Sequence, residues 1–102
     1  MKIKIHKTNI ELNEALVIWI EKKIGGLDKF LKHIDPAAME SRVEIGKPSG
    51  HHHKGMVWYA EVNLKLPGKL LRATNTNKDL RTAINRVKDE LQIQINKYLA
   101  RR

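Results

Sequence analysis

Residues 56–74, MVWYAEVNLKLPGKLLRAT, read as two strands joined by a tight turn. Even positions Met56, Trp58, Ala60, Val62, Leu64 and Leu66 are apolar. Odd positions Tyr59, Glu61, Asn63 and Lys65 are polar. That two-residue period is the pattern of a strand with one face on a core and one on water. Pro67-Gly68 carries the type II turn signal, proline presetting φ and glycine accepting a positive one. Lys69–Thr74 then returns as the hairpin partner.

Upstream, Met1–Lys7 alternates in the same way, with Ile3 and Ile5 on one side and Lys2, Lys4 and His6 on the other. From Glu14 the period lengthens. Leu16, Trp19, Ile20, Leu27, Phe30, Leu31 and Ile34 share one helical face, with Glu21, Lys22, Lys29 and Lys32 opposite. Asn13 suits the N-cap, and Glu14 faces the positive end of the helix dipole. The apolar phase runs through Gly25-Gly26, which predicts one helix to about His33, stopped by Asp35-Pro36. Met39, Ser41, Val43 and Ile45 alternate with Glu40, Arg42 and Glu44 as another strand, and Gly46–Gly55 reads as a loop. Asn77 is the expected cap of a final helix, with Asp79 in its first turn. Leu80, Ile84, Val87, Leu91, Ile95 and Tyr98 form its apolar stripe. The order β-α-β-β-β-α predicts an α+β fold, two helices on one face of a four-stranded sheet, in a single domain.

Composition narrows the function. The chain has 102 residues, no cysteine, and 20 Lys plus Arg against 11 Asp plus Glu, a formal net charge of +9. Thiol catalysis, thiolate metal sites and disulfides are excluded. The first residues lack the apolar core of a secretory signal, and no apolar run approaches a membrane span. The expectation is a cytoplasmic protein with no membrane partner. Residues 1–46 carry 8 basic and 7 acidic side chains, residues 47–102 carry 12 and 4. Positive charge gathered in one half is the electrostatic footprint of a nucleic-acid partner.

No enzyme constellation stands out: no phosphate loop, no GxGxxG, no GxSxG. No catalytic residue, small-molecule substrate or cofactor is therefore expected. His51, His52 and His53 are adjacent, so on extended chain they point alternately to opposite sides, and no metal site is expected there. His6 and His33 read as surface residues. Trp19 and Trp58 lie in the apolar phase of a helix and a strand, which favours core packing over base stacking. The last helix is the most telling: Lys78, Arg81, Arg86, Lys88, Lys97, Arg101 and Arg102 stand against Asp89 and Glu90, with Asp79 at its start. A solvated face usually mixes signs at i,i+4. Cations at this density suit phosphates.

The segment HKGMVWYAEVNLKLPGKLLRATNTNKDLRTAINRVKDELQIQINKY resembles the short ribosome hibernation factors, also called protein Y, ribosome-associated inhibitors or sigma-54 modulation proteins. The resemblance rests on Val62-Asn63, Leu66-Pro67-Gly68, Leu71-Arg72-Ala73, Asp79-Leu80 and Ala83-Ile84, with Asn13-Glu14-Ala15-Leu16, Lys22-Lys23-Ile24 and Leu27 in the first half. It covers nearly the whole chain. The chain departs from the pattern at Arg81, often tyrosine, and at Glu90 and Ile93, often lysine and arginine.

The resemblance implies a fold like that of double-stranded RNA-binding domains and a non-enzymatic, bacterial, stress-linked translation inhibitor. Its implied partner is the small ribosomal subunit and its rRNA, in the channel used by mRNA and tRNA. Longer relatives add a dimerisation domain. With the chain ending at Arg102, residues 1–102 are expected to be one ribosome-binding domain, monomeric when free. The residues expected to touch RNA are Lys22, Lys23 and Lys29 on the first helix, Lys78, Arg81, Arg86, Lys88 and Lys97 on the last, and Arg72 at the sheet edge. The competing readings are a stand-alone RNA-binding module and an interaction protein that modulates the sigma-54 transcription factor.

Overall fold

The computed structural model describes residues 1–47 and 57–101. The three adjacent histidines, most of the Gly46–Gly55 segment, Met56 and Arg102 lie outside the described residues. The chain runs β1 (Lys2–Thr8), α1 (Glu14–Gly25), a 3-10 turn (Gly26–Phe30), a short 3-10 turn (Pro36–Ala38), β2 (Glu40–Gly46), β3 (Trp58–Leu66), β4 (Lys69–Asn77) and α2 (Leu80–Ala100). The sheet order is β1-β2-β3-β4. β1 lies parallel to β2, the crossover running through α1, and the other two pairings are antiparallel. This is the α+β architecture that the hydrophobic periods predict.

The alternation in residues 58–66 is realised. Ala60, Val62, Leu64 and Leu66 are buried, as are Val43 and Ile45 of β2 and Leu71 and Ala73 of β4. They meet Ile20, Ile24 and Leu27 from the first helical segment and Leu80, Ala83, Ile84, Val87, Leu91 and Ile95 from α2. Both helices thus cover one face of the sheet. Burying each of the Val, Leu and Ile side chains is worth roughly 1.5–3 kcal/mol. The hairpin turns at Gly68 with φ +76, a left-handed value that glycine takes without strain. At Gly46 an added Cβ would stand 3.2 Å from the Thr8 carbonyl oxygen, so a side chain there would press β1 and β2 apart by a few tenths of an ångström.

Three boundaries differ from the sequence-based expectation. The first helix does not continue to His33; α1 ends at Gly25 and the chain tightens into the 3-10 turn Gly26–Phe30. Each glycine costs about 1 kcal/mol in a helix interior, and here the backbone gives up the α-helical ladder. The apolar phase survives, with Leu27, Leu31 and Ile34 all buried. Asn77 does not cap the last helix. It still pairs with Trp58 in the sheet, its side chain accepts the Asp79 N–H, and Asp79 is the N-cap. β4 accordingly reaches Asn77 rather than Thr74; its polar ATNTN end is held by register with β3.

Candidate nucleic-acid interface

Two caps set the phases of the helices. The Asn13 Oδ1 accepts the Leu16 N–H at 2.8 Å. With α1 started there, Ile20 and Ile24 point into the core, while Ile18 and Lys22 point outward. Trp19 and Lys23, one turn apart, flank the side toward α2. The Asp79 Oδ2 accepts the Thr82 hydroxyl at 2.7 Å and its N–H at 3.3 Å. These bonds, the hydroxyl's foremost, hold the Asp79 carboxyl below the usual aspartate range. α2 then turns Arg81 toward α1.

The two helices meet at Trp19. The Arg81 guanidinium carbon stands 4.8 Å from the centre of the indole, and the Lys23 Nζ 5.5 Å from it. Lys88 follows Arg81 by about two turns on the same flank. Trp19 and Trp58 both pack half-buried against the core, in keeping with their sequence phase, and both carry a cation over the ring; on Trp58 it is Lys47, at 4.7 Å.

A second group of cations lies on the opposite flank of α2. Lys97 and Arg101 join Lys69 of β4 around a concavity of about 370 Å³, with Gln94 and Tyr98 in its wall. The Tyr98 hydroxyl donates to the Pro67 carbonyl at 2.7 Å and ties α2 to the hairpin turn. Arg86 is about three turns before Lys97 and on the same flank. The cations therefore fall into two groups: Lys23, Arg81 and Lys88 edge the groove between the helices, whereas Arg86 and Lys97 face the β4 side.

The remaining candidates are dispersed. Lys29 sits on the 3-10 turn, not on α1, with its Nζ 5.1 Å from the Phe30 ring centre. Lys78 is exposed in the bend before the Asp79 cap, near the groove end of α2. The Arg72 side chain is on the open face of the sheet, opposite the helices. There its Nη2 pairs with Glu61 at 2.9 Å. The same carboxylate accepts the Tyr59 hydroxyl at 2.5 Å and the Asn63 amide at 2.7 Å. These bonds, the tyrosine's first, hold Glu61 below the usual glutamate range although burial opposes them. Burial, then the Glu61 bond and charge, raise the Tyr59 phenol.

Some of the basic side chains are ion-paired. Lys4 pairs with Glu40 at 2.8 Å, Lys7 with Glu11 at 2.7 Å, and Arg72 with Glu61. Among the described residues, none of Lys22, Lys23, Lys29, Lys78, Arg81, Arg86, Lys88 and Lys97 has a carboxylate within ion-pair distance. Among them also, no group of three or more His, Asp or Glu side chains could hold a metal ion, and no helix is long and apolar enough to cross a membrane.

Sequence reasoning passed over Lys69 as a contributor and over Trp19 as more than a core ring. The signal for Trp19 was its i,i+4 spacing from Lys23. Its meeting with Arg81, 62 positions away, has no sequence-local signature.

Comparison with known proteins gives a consistent picture. The family described as Sigma 54 modulation protein / S30EA ribosomal protein matches residues 3–102. A ribosome hibernation promotion factor of Lactococcus lactis subsp. cremoris (strain MG1363) is 32% identical over 105 residues, covering 99% of this chain and 51% of that protein. The ribosome hibernation promotion factor of Staphylococcus aureus (strain COL) is 27% identical over 101 residues, covering 99% and 50%. The chain thus spans about half the length of these curated relatives. Among solved structures, the protein Y N-terminal domain of Thermus thermophilus superposes with a TM-score of 0.77 at 27% identity, covering 96% of this chain and 99% of that one. A ribosomal subunit interface protein of Coxiella burnetii shares the fold, with a TM-score of 0.73 at 20% identity over 98% of this chain and 99% of that one.

Proposed function

The chain belongs to the Sigma 54 modulation protein / S30EA ribosomal protein family, and from that premise we propose that it is a hibernation factor of the ribosome. It binds the small ribosomal subunit through rRNA phosphates and occupies the channel that mRNA and tRNA use. The mechanism is occupancy: a basic wedge fills the volume and excludes translation substrates, with no chemical step. Residues 1–102 act as one ribosome-binding unit in the cytoplasm.

The observation that carries this reading is the absence of carboxylate partners for the helix cations among the described residues. An unpaired cation keeps its full attraction for a phosphate, whereas a paired one must first surrender its partner. Arginine adds a planar fork that matches two oxygens at once. Phosphate contacts supply affinity without reading bases, so selectivity comes from the shape of the channel. The names of the two relatives, ribosome hibernation promotion factors, support the same assignment.

Sedimentation with purified small subunits across a salt series tests it. Each neutralised phosphate adds about −0.7 to −0.9 to the slope of log K against log salt, so about five contacts give a slope near −3.5 to −4.5. Translation in a purified system should fall as the subunits fill. Protein that stays at the top of the gradient, or binding indifferent to salt, overturns the proposal. Equal affinity for subunits and for free duplex RNA would favour a stand-alone RNA-binding module instead.

A further inference from the structure

We infer that Trp19 is a positioning residue that joins Lys23 of α1 and Arg81 of α2 into one composite site for the phosphate backbone of an RNA lying along the groove between the helices. The inference rests on the RNA-binding reading above and goes beyond it by naming what organises the cations.

Lysine and arginine side chains are long, and an unconstrained one loses rotamer freedom when a ligand fixes it. Cations on two separate helices would each bear that loss alone. The Trp19 indole removes part of it, because its ring is in contact range of both, at 5.5 Å from the Lys23 Nζ and 4.8 Å from the Arg81 guanidinium carbon. Indole is the strongest of the aromatic faces for a cation. A guanidinium stacked on a ring uses its face, and its N–H donors, which lie in its plane, remain available to oxygen acceptors. The ammonium likewise retains its three donors. The contact therefore orders the cations without consuming what a phosphate needs.

The surroundings agree. Trp19 is half-buried and packed against the core, while Arg81 is exposed, so the anchor is fixed and the donors face water. Neither Lys23 nor Arg81 has an ion-pair partner among the described residues. The Asp79 carboxylate feels the Arg81 charge, but it is engaged by the Thr82 hydroxyl and N–H at the cap.

The test uses the full chain, with purified small ribosomal subunits and, separately, an RNA duplex of about 16 base pairs, the span a compact duplex-binding domain covers. Trp19→Leu should weaken binding about tenfold and reduce the salt slope by about one phosphate contact. Trp19→Phe should restore most of both. In a Lys23→Gln/Arg81→Gln background Trp19→Leu should add almost nothing, because the groups it positions are gone. Losses from Lys23→Gln and Arg81→Gln should also be non-additive in the parent, a readout that needs no change at Trp19 should Trp19→Leu fail to fold. A merely structural role would lower the melting temperature and leave the salt slope as it was.

An unchanged slope in folded Trp19→Leu, or additive losses at Lys23 and Arg81, overturns the inference while parent binding to subunits leaves the functional reading intact. The expected pattern on duplex RNA with no subunit binding does the reverse. A parent that binds neither overturns both.

Discussion

The Gln94 side chain pairs with both backbone polar groups of Arg72: its Nε2 donates to the Arg72 carbonyl at 2.8 Å and its Oε1 accepts the Arg72 N–H at 3.3 Å. β4 is an edge strand, and the outward groups of an edge are a template for another chain. A carboxamide has the same donor and acceptor as a peptide unit, so Gln94 occupies the place of the next strand at that point. Together with the Tyr98 hydroxyl on the Pro67 carbonyl, it fixes the second half of α2 over the hairpin.

Gln94→Ala should therefore destabilise the fold by about 1 kcal/mol, near the net worth of exposed backbone hydrogen bonds. Alanine's better helix propensity offsets a few tenths of that. Urea unfolding measures the loss. Amide exchange at Arg72 should accelerate selectively, and light scattering should show some self-association at high concentration. Unchanged exchange at Arg72 would mean that the carboxamide does not guard the edge in solution.

The open face of the sheet yields a pH prediction. Glu61 stands opposite Glu44 across β2 and β3, an unfavourable like-charge pair. It is nevertheless held ionised by Tyr59, Asn63 and Arg72. Its folded pKa lies below the ordinary value of 4.5, so the stabilisation is complete above that pH and is lost as the pH falls through the lowered value. Glu11, Glu40 and Asp79 are lowered as well and act in the same direction. Glu61→Gln should flatten part of the acid limb of a melting-temperature profile between pH 7 and pH 3, leaving the part due to the other three. Parallel profiles for parent and variant would refute this. Because Arg72 is committed to Glu61, Arg72→Gln should reduce stability more clearly than it reduces RNA binding.

Much of this was legible beforehand for a physical reason. Period and burial are locally encoded, so Ala60, Val62, Leu64 and Leu66 announced both the strand and its core face. The Pro67-Gly68 turn announced the partner. The places that misled are those where two local signals compete. Gly25-Gly26 weakens the helix while Leu27, Leu31 and Ile34 keep its phase, and only the backbone geometry decides for a 3-10 turn. Asn77 and Asp79 are both cap residues, and pairing of Asn77 with Trp58 decides for Asp79. For the interface, residue type and density pointed to the cations. Their division between two flanks depends on where β4 and α1 lie against α2, which no local pattern carries. The Trp19–Arg81 contact and the Gln94–Arg72 pairing are tertiary in the same sense.

That division leads to a test by charge reversal in pairs. Lys22 and Lys78 are exposed and lie close in sequence to the groove cations Lys23 and Arg81, and Arg86 and Lys97 are exposed on the β4 flank. None of the four contributes to the core, so Lys22→Glu with Lys78→Glu, and Arg86→Glu with Lys97→Glu, should each fold with a melting temperature within a few degrees of the parent. Lys78→Glu also places an acid beside the positive end of the α2 dipole, which offsets some of any loss. Binding to small subunits should respond unequally. The groove gathers cations from two helices, whereas the far flank presents those of α2 with Lys69. The groove pair should therefore lose about a hundredfold in affinity at low salt, and its salt slope should drop by about two phosphate contacts. The flank pair should lose several-fold less. If occupancy of the channel is the mechanism, inhibition of translation should fall in the same order. Should the flank pair abolish binding while the folded groove pair binds as the parent does, the RNA lies along the β4 side of α2, and Lys69, Lys97 and Arg101 become its principal contacts.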